Sequence, residues 1–172
     1  MDLTAKEIEN YIPWNAQEEN DRKQLLRWMK SDCSLWDREE GFAHWTASAW
    51  VVNQKRDRVL MAYHNIYDSW SWLGGHCDGN HDCLAVAMKE VREESGVQNI
   101  KPLSTDIFSL EILTVDGHVK SGVYVPSHLH LNVTYLLEAD ENEHLKIRKG
   151  ENSAVAWFEL DEAIKASSEP WF

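Results

Sequence analysis

Glu90, Glu93 and Glu94 stand at relative positions 0, 3 and 4 within GGHCDGNHDCLAVAMKEVREESGV, residues 74–97. On a helix those offsets bring the three carboxylates onto one face. Like charges a few Å apart repel by about 4 kcal/mol per pair at an effective dielectric near 20, so the group is costly without a counter-charge. A hard divalent cation removes that cost, and magnesium in particular prefers oxygen ligands, keeps several waters and shares its shell with substrate phosphates. Taken alone, EVREE reads more simply as a solvated acidic face.

The surrounding pattern supplies the elements that would hold these residues. A helix is predicted from about Asp82 to Ser95, ending at Gly96, a residue suited to a left-handed cap. Leu84, Met88, Val91 and Ser95, with Ala87 beside them, form the stripe expected to pack on a sheet. A second helix is expected over Asn15–Lys30, whose Leu25, Leu26 and Met29 share a face, and a short acidic one near Leu160–Ala166. Strands are expected at Thr46–Asn53, Val59–His64, Trp70–Leu73, Ile107–Val115, His128–Glu138 and Ala154–Phe158. Strands flanking a central helix, with another helix at the end, predict a mixed α/β sandwich.

The chain has 172 residues, 43% of them hydrophobic, enough to bury one sizeable core. A formal net charge of −12 argues against a protein that grips a nucleic acid polymer through its phosphates. Cys33, Cys77 and Cys83 are an odd set for a disulfide framework and suit a reducing compartment. No apolar run of membrane-spanning length occurs and the first residues lack the charge and hydropathy pattern of a leader, so the expected setting is cytoplasmic, with no membrane partner.

The glycine-to-glutamate stretch resembles the signature of the Nudix hydrolases: a glycine, five residues, a glutamate, seven residues, then Arg-Glu-aliphatic-x-Glu-Glu-x-Gly-aliphatic. Gly75, Glu90, Val91, Glu93, Glu94, Gly96 and Val97 match it without gaps. Upstream, Trp70, Gly74 and Gly75 match the family's Trp-x-x-Pro-Gly-Gly approach, with Leu73 where proline is usual. Downstream, ENSAVAW resembles the family's glutamate before a tryptophan-bearing strand, at Glu151 and Trp157.

The resemblance implies a Nudix-type α/β/α sandwich with a mixed β-sheet over 46–172, preceded by a helical extension over 1–45. It implies hydrolysis of a nucleoside diphosphate linked to another group, or of a related small diphosphate, with Mg²⁺ or Mn²⁺. Glu90, Glu93 and Glu94 would be the metal ligands, helped by the Gly74 carbonyl, and Glu90 or Glu151 would orient or deprotonate the water. Such chemistry rests on charge compensation and positioning more than on a nucleophilic side chain. Two positions depart from the pattern. His81 stands where the family has its isolated glutamate, and Lys89 where it has an arginine, keeping the charge but losing the bidentate fork. Asp82 could substitute for the missing acid, although its place fits a helix N-cap. These departures keep open a domain that binds its diphosphate ligand without turnover. The isomerase branch of the fold would need a catalytic cysteine, and neither Cys77 nor Cys83 has a matching context.

Other residues carry competing readings. His76, Cys77, His81 and Cys83 are zinc-type ligands close in sequence, but their spacing is not a paired Cys-x-x-Cys knuckle. His128, His130, Asn132 and Thr134 alternate with apolar residues and share one face of a strand, which makes His128, His130 and Asn132 candidates for substrate contacts. Trp70 and Trp72 precede the glycines, where an aromatic could stack on a base, although packing is the more ordinary use of each ring, while Trp14, Trp28 and Trp36 suggest core or interface anchors and a homodimer.

Overall fold

A computed structural model describes residues 2–31, 34–120 and 122–168, so Cys33 lies outside the described residues. Two helices open the chain, α1 (Ala5–Asn10) and α2 (Ala16–Met29). Thr4 and Glu7 close a capping box on α1, and the Asn15 side chain accepts from the Glu18 N–H on α2, satisfying donors that a helix start leaves free. Ile8 and Leu25 anchor these helices in the same apolar cluster as the sheet. α1 was not foreseen, because six residues carry too little periodicity to signal a helix.

Ten strands follow: β1 (Ala43–Asn53), β2 (Arg58–His64), β3 (Ser69–Ser71), β4 (Leu73–His76), β5 (Ile100–Pro102), β6 (Ser109–Val115), β7 (His118–Lys120), β8 (Val123–Val125), β9 (His128–Ala139) and β10 (Asn152–Glu159). α3 (Cys83–Ser95) lies between β4 and β5, and α4 (Leu160–Ala166) follows β10. The main sheet runs β10-β2-β1-β9-β5, with β3 on β2, β4 on β1 and β6 on β9; β7 and β8 form a separate hairpin. β1 and β9 are parallel while the remaining pairs are antiparallel, which makes the sheet mixed. The strand expected over Trp70–Leu73 is two strands, because β3 pairs with β2 and β4 crosses to β1.

Alternation along β2 places helices on both faces. Leu60 and Ala62 enter the main cluster with α3, whereas Val59 and Met61 pack with Ala163 of α4, Trp50, Trp70 and Phe158. On β1, Ala43, Trp45, Ala47 and Ala49 also enter the main cluster. Their alternates His44, Thr46 and Ser48 share the other face with His130, Asn132 and Thr134 of β9, each opposite its partner in the parallel register. That polar face is the floor of the cavity described below. Among the described residues no helix is long and apolar enough to cross a membrane.

Candidate active site

α3 begins where expected: the Asp82 carboxylate accepts from the Ala85 N–H at 3.0 Å, so Asp82 is the N-cap. It ends at Gly96, whose φ of 80° is open to glycine at little cost. Its buried stripe is rotated from the expected one, with Cys83, Val86, Ala87 and Val91 inside and Leu84 and Met88 only half-buried. The rotation turns Glu90 and Glu94 toward β4. A Cβ on Gly75 would lie 2.6 Å from Glu90 Cδ, and the Gly74 N–H donates to Glu94 Oε2 at 3.1 Å. The paired glycines therefore let α3 lay its acidic edge directly on the strand backbone.

The carboxylates converge. Arg148 Nη1 lies 2.9 Å from Glu90 Oε2, 3.0 Å from Glu93 Oε2 and 3.0 Å from Glu151 Oε2. Lys89 Nζ bridges Glu90 Oε1 at 2.9 Å and Glu93 Oε2 at 3.2 Å. Asn152 fixes the Arg148 loop to the helix: its side-chain oxygen accepts from the Arg148 N–H at 3.0 Å and its amide donates to the Glu94 carbonyl at 2.9 Å. Burial pushes the Glu94 carboxyl up to about 8, with Glu90 and Glu151 adding to the shift and the Gly74 N–H opposing it. Four carboxylates thus face two side-chain cations, and one of the four is held against ionisation. This oxygen-rich, over-acidic donor set fits a hard divalent cation.

Glu90, Glu94, Glu151, Gly74, Arg148 and Lys89 line one end of a cavity of about 910 Å³ whose lining also includes Trp72, His128, His130 and Asn132. Asn132 is 1% exposed and fully engaged. Its Oδ1 accepts from Thr46 Oγ1 at 3.0 Å and Ser48 Oγ at 2.8 Å, while its Nδ2 donates to Glu111 Oε2 at 2.9 Å and Thr134 Oγ1 at 3.1 Å. With both lone pairs and both protons used, it fixes the floor rather than offering a free contact. Trp70 is outside the cavity lining, packed edge-on against Phe158 and Tyr63 at 4.8 and 5.6 Å between centroids.

The four residues of the zinc reading do not assemble. Cys77 and Cys83 face each other in the core with sulfurs 3.7 Å apart, and His81 is exposed, stacked on Trp36 at 4.0 Å. Hydrogen bonding to Cys77, and then burial, push the Cys83 thiol well above its usual range, unlike an activated nucleophile. His76 joins His44 and His130 instead. Sequence reasoning overlooked Arg148 and His44. The polar alternation of His44, Thr46 and Ser48 inside an otherwise apolar strand was the available signal for the second; nothing local singles out Arg148 from the basic residues around it.

A NUDIX domain family model matches residues 43–171. Diphosphoinositol polyphosphate phosphohydrolase 2 of Homo sapiens is 29% identical over 142 residues, covering 82% of this chain and 71% of that protein. The protein of the same name from Pongo abelii matches to the same extent. Among solved structures, a Nudix hydrolase from M. Smegmatis, RenU, aligns over 83% of this chain and 88% of its own, at 13% identity and a TM-score of 0.54. A C. elegans Ap4A hydrolase aligns over 74% of this chain and 88% of its own, at 16% identity and a TM-score of 0.51. At these identities the structural likeness is one of fold.

Proposed function

The chain belongs to the NUDIX family and is a Nudix pyrophosphohydrolase; on that premise we propose that it cleaves, with a divalent cation, the diphosphate bond of a nucleoside diphosphate linked to another group or of a related small diphosphate. The diphosphoinositol polyphosphates for which its relatives are named are within that class. The observation that carries this reading is the convergence of Glu90, Glu93 and Glu151 on one guanidinium beside Glu94, at the end of a cavity large enough for such a ligand.

Glu90, Glu93 and Glu94, with the Gly74 carbonyl, would hold Mg²⁺ or Mn²⁺, which when bound compensates the charge on the phosphate oxygens. Glu151, half-buried at the same end, orients or deprotonates the attacking water, with Glu90 as the other candidate. Lys89 and Arg148 balance the carboxylates, and with Arg38 and Lys120 they are the cations that line the cavity. His128 and His130 face the substrate from the floor, and Trp72 offers a ring at the wall. Trp70 is left out of this set, because it lies outside the cavity lining and packs edge-on against Tyr63 and Phe158. Exposure of Ile12 and Trp14 supports a homodimer through the N-terminal helices, and the net charge of −12 supports a small-molecule substrate over a nucleic acid polymer.

Binding without turnover is the second reading, favoured by Lys89 in place of the family's arginine. Cleavage of nucleoside diphosphate sugars, dinucleoside polyphosphates, ADP-ribose, nucleoside triphosphates and diphosphoinositol polyphosphates, with Mg²⁺ or Mn²⁺ and with the products resolved by chromatography, separates the two. Cleavage of one class, lost in Glu93→Gln/Glu94→Gln, is the expected result; saturable binding with no cleavage of any class would leave only the binding module.

A further inference from the structure

The other end of the cavity is built from nitrogen. The parallel register sets His44 of β1 opposite His130 of β9, and β4 on the other side of β1 sets His76 opposite Thr46. The three rings lie 4.9 to 5.0 Å apart between centroids, and one ring nitrogen from each lies within 4.8 Å of the other two. His44 is 4% exposed, yet neither of its ring nitrogens has a hydrogen-bond partner among the described residues. A neutral imidazole carries one donor and one lone pair, and leaving both unmet in the interior is destabilising. Packing alone gives no return for gathering three such rings around a common point.

We propose that His44, His76 and His130 bind one transition-metal ion of the Zn²⁺ class, with its remaining coordination position open to the cavity. Neutral imidazole is a preferred ligand for such borderline ions and a poor one for Mg²⁺, so this site and the carboxylate end select different metals. Three protein nitrogens plus an open position is the ligand count of a zinc site that accepts an exogenous fourth ligand. Nitrogens on a tetrahedral zinc sit roughly 3.4 Å from one another, so ring nitrogens now within 4.8 Å of each other draw closer to bind it. Orientation of one ligand is already provided: His128 Nδ1 is 2.8 Å from the Pro126 carbonyl, which leaves its Nε2 as the acceptor 3.3 Å from His130 Nε2. Hydrogen bonding of a ligand's second nitrogen is how the shell beyond a metal fixes tautomer and ring angle. His130, placed above among the groups facing the substrate, then acts through the bound ion.

The test uses the full chain, stripped with chelator and dialysed against micromolar Zn²⁺ in millimolar Mg²⁺, with zinc counted by mass spectrometry. The expected result is one zinc per chain in the wild type and in Glu93→Gln/Glu94→Gln, with affinity at least tenfold weaker in His76→Gln and in His130→Gln. Co²⁺ in place of Zn²⁺ should give an intense visible band that the histidine variants lose. Should those variants fail to fold, imidazole ¹⁵N resonances of the wild type answer the same question, with three rings shifting on zinc addition. Zinc absent from the wild type, zinc retained by folded histidine variants, zinc lost in the glutamate double variant alone, or unmoved imidazole resonances would each overturn the site.

Discussion

The carboxylate end of the cavity takes three of its acids from one thirteen-residue helix, whereas the histidine end draws His44, His76 and His130 from three strands of the sheet. The first is charged and has counter-ions in place even without metal, with Arg148 seated among three carboxylates and Lys89 across two. The second is neutral and holds its rings together with no hydrogen bond to either nitrogen of His44. Charge sets the difference. Clustered anions repel over several Å and must be balanced in every state of the protein, while neutral imidazoles tolerate one another and pay only for unmet hydrogen bonds.

Chemistry at only one of these ends is the sharpest form of the comparison. Glu151→Gln keeps the side-chain shape and removes a charge, and it should lower kcat on the order of 10²- to 10⁴-fold if Glu151 positions or deprotonates the water. His76→Gln should cost less than tenfold under Mg²⁺ alone. Steady-state kinetics on the best substrate of the screen measure both, and equal losses would erase the division of labour. Glu138, Glu141 and Glu143 are poor replacements for Glu151, being committed to Lys101, to Arg58, and to the Gln98 and Asn99 N–H groups respectively.

Removing the built-in counter-ion gives the next effect. Arg148→Gln leaves Glu90, 7% exposed, beside Glu93, Glu94 and Glu151 with Lys89 as the remaining cation in direct contact among the described residues. Arg148 is itself partly exposed, so the loss should fall below that of a fully buried pair, about 1–3 kcal/mol, or roughly 2–10 °C in Tm. Millimolar Mg²⁺ should return most of that loss and raise the variant's Tm more than the wild type's, since in the wild type the guanidinium must first yield its place. Thermal scans with and without Mg²⁺ decide it, and a metal-free Tm unchanged by the substitution would remove Arg148 from the balance.

The same contrast explains what the sequence could and could not reveal. Glu90, Glu93 and Glu94 were legible because helical offsets of three and four are a local code, and Asp82 and Gly96 mark the ends of that helix by their own chemistry. The polar face of β9 was legible for the same reason at period two. His44 and His130 meet through a parallel pairing between distant strands, and no local spacing records which strand lies beside which. Arg148 is likewise placed by the fold, through Asn152 and the C-terminal end of α3. Trp70 and Trp72 looked equivalent in sequence, but the crossing from β2 to β1 occurs between them, so Trp70 packs against Tyr63 and Phe158 while Trp72 lines the cavity.

Acid should expose the neutral histidines. In the metal-free protein, burial lowers His44 from 6.5 to about 4, His76 to about 3 and His130 to about 2, with Arg38 and neighbouring histidines adding to the shift and Asp78 opposing it at His44 and His76. Below about 6.5 the unfolded chain takes up protons that the folded one refuses. Stability that is complete above that pH is therefore lost as pH falls toward 4, by up to about 1.4 kcal/mol per pH unit for each histidine. The acidic residues titrate in the same window, so the quantity to measure is the difference between wild type and His76→Gln in denaturant midpoints from pH 7 to 4.5. The variant's profile should be the flatter one. Identical slopes would mean that His76 already exchanges protons freely with solvent.

The smallest effect concerns His81, which stands at the signature's isolated glutamate yet stacks on Trp36, outside the residues that line the cavity. Lys89, at the arginine position, reaches Glu90 and Glu93. The two departures thus serve different neighbours, and restoring the family residues at both should not create a pair. His81→Glu should lose a ring contact worth about 0.5–1.5 kcal/mol, a fall of roughly 1–6 °C in Tm, and leave kcat within about twofold. Lys89→Arg should act at the carboxylate end with no dependence on residue 81. A double-mutant cycle on kcat/KM then gives a coupling term near zero, within the few tenths of a kcal/mol typical of independent sites. A coupling above about 1 kcal/mol, or a double variant markedly faster than either single, would return His81 to the candidate site and place the loop before α3 nearer Glu90 and Glu93 than its stacking on Trp36 allows.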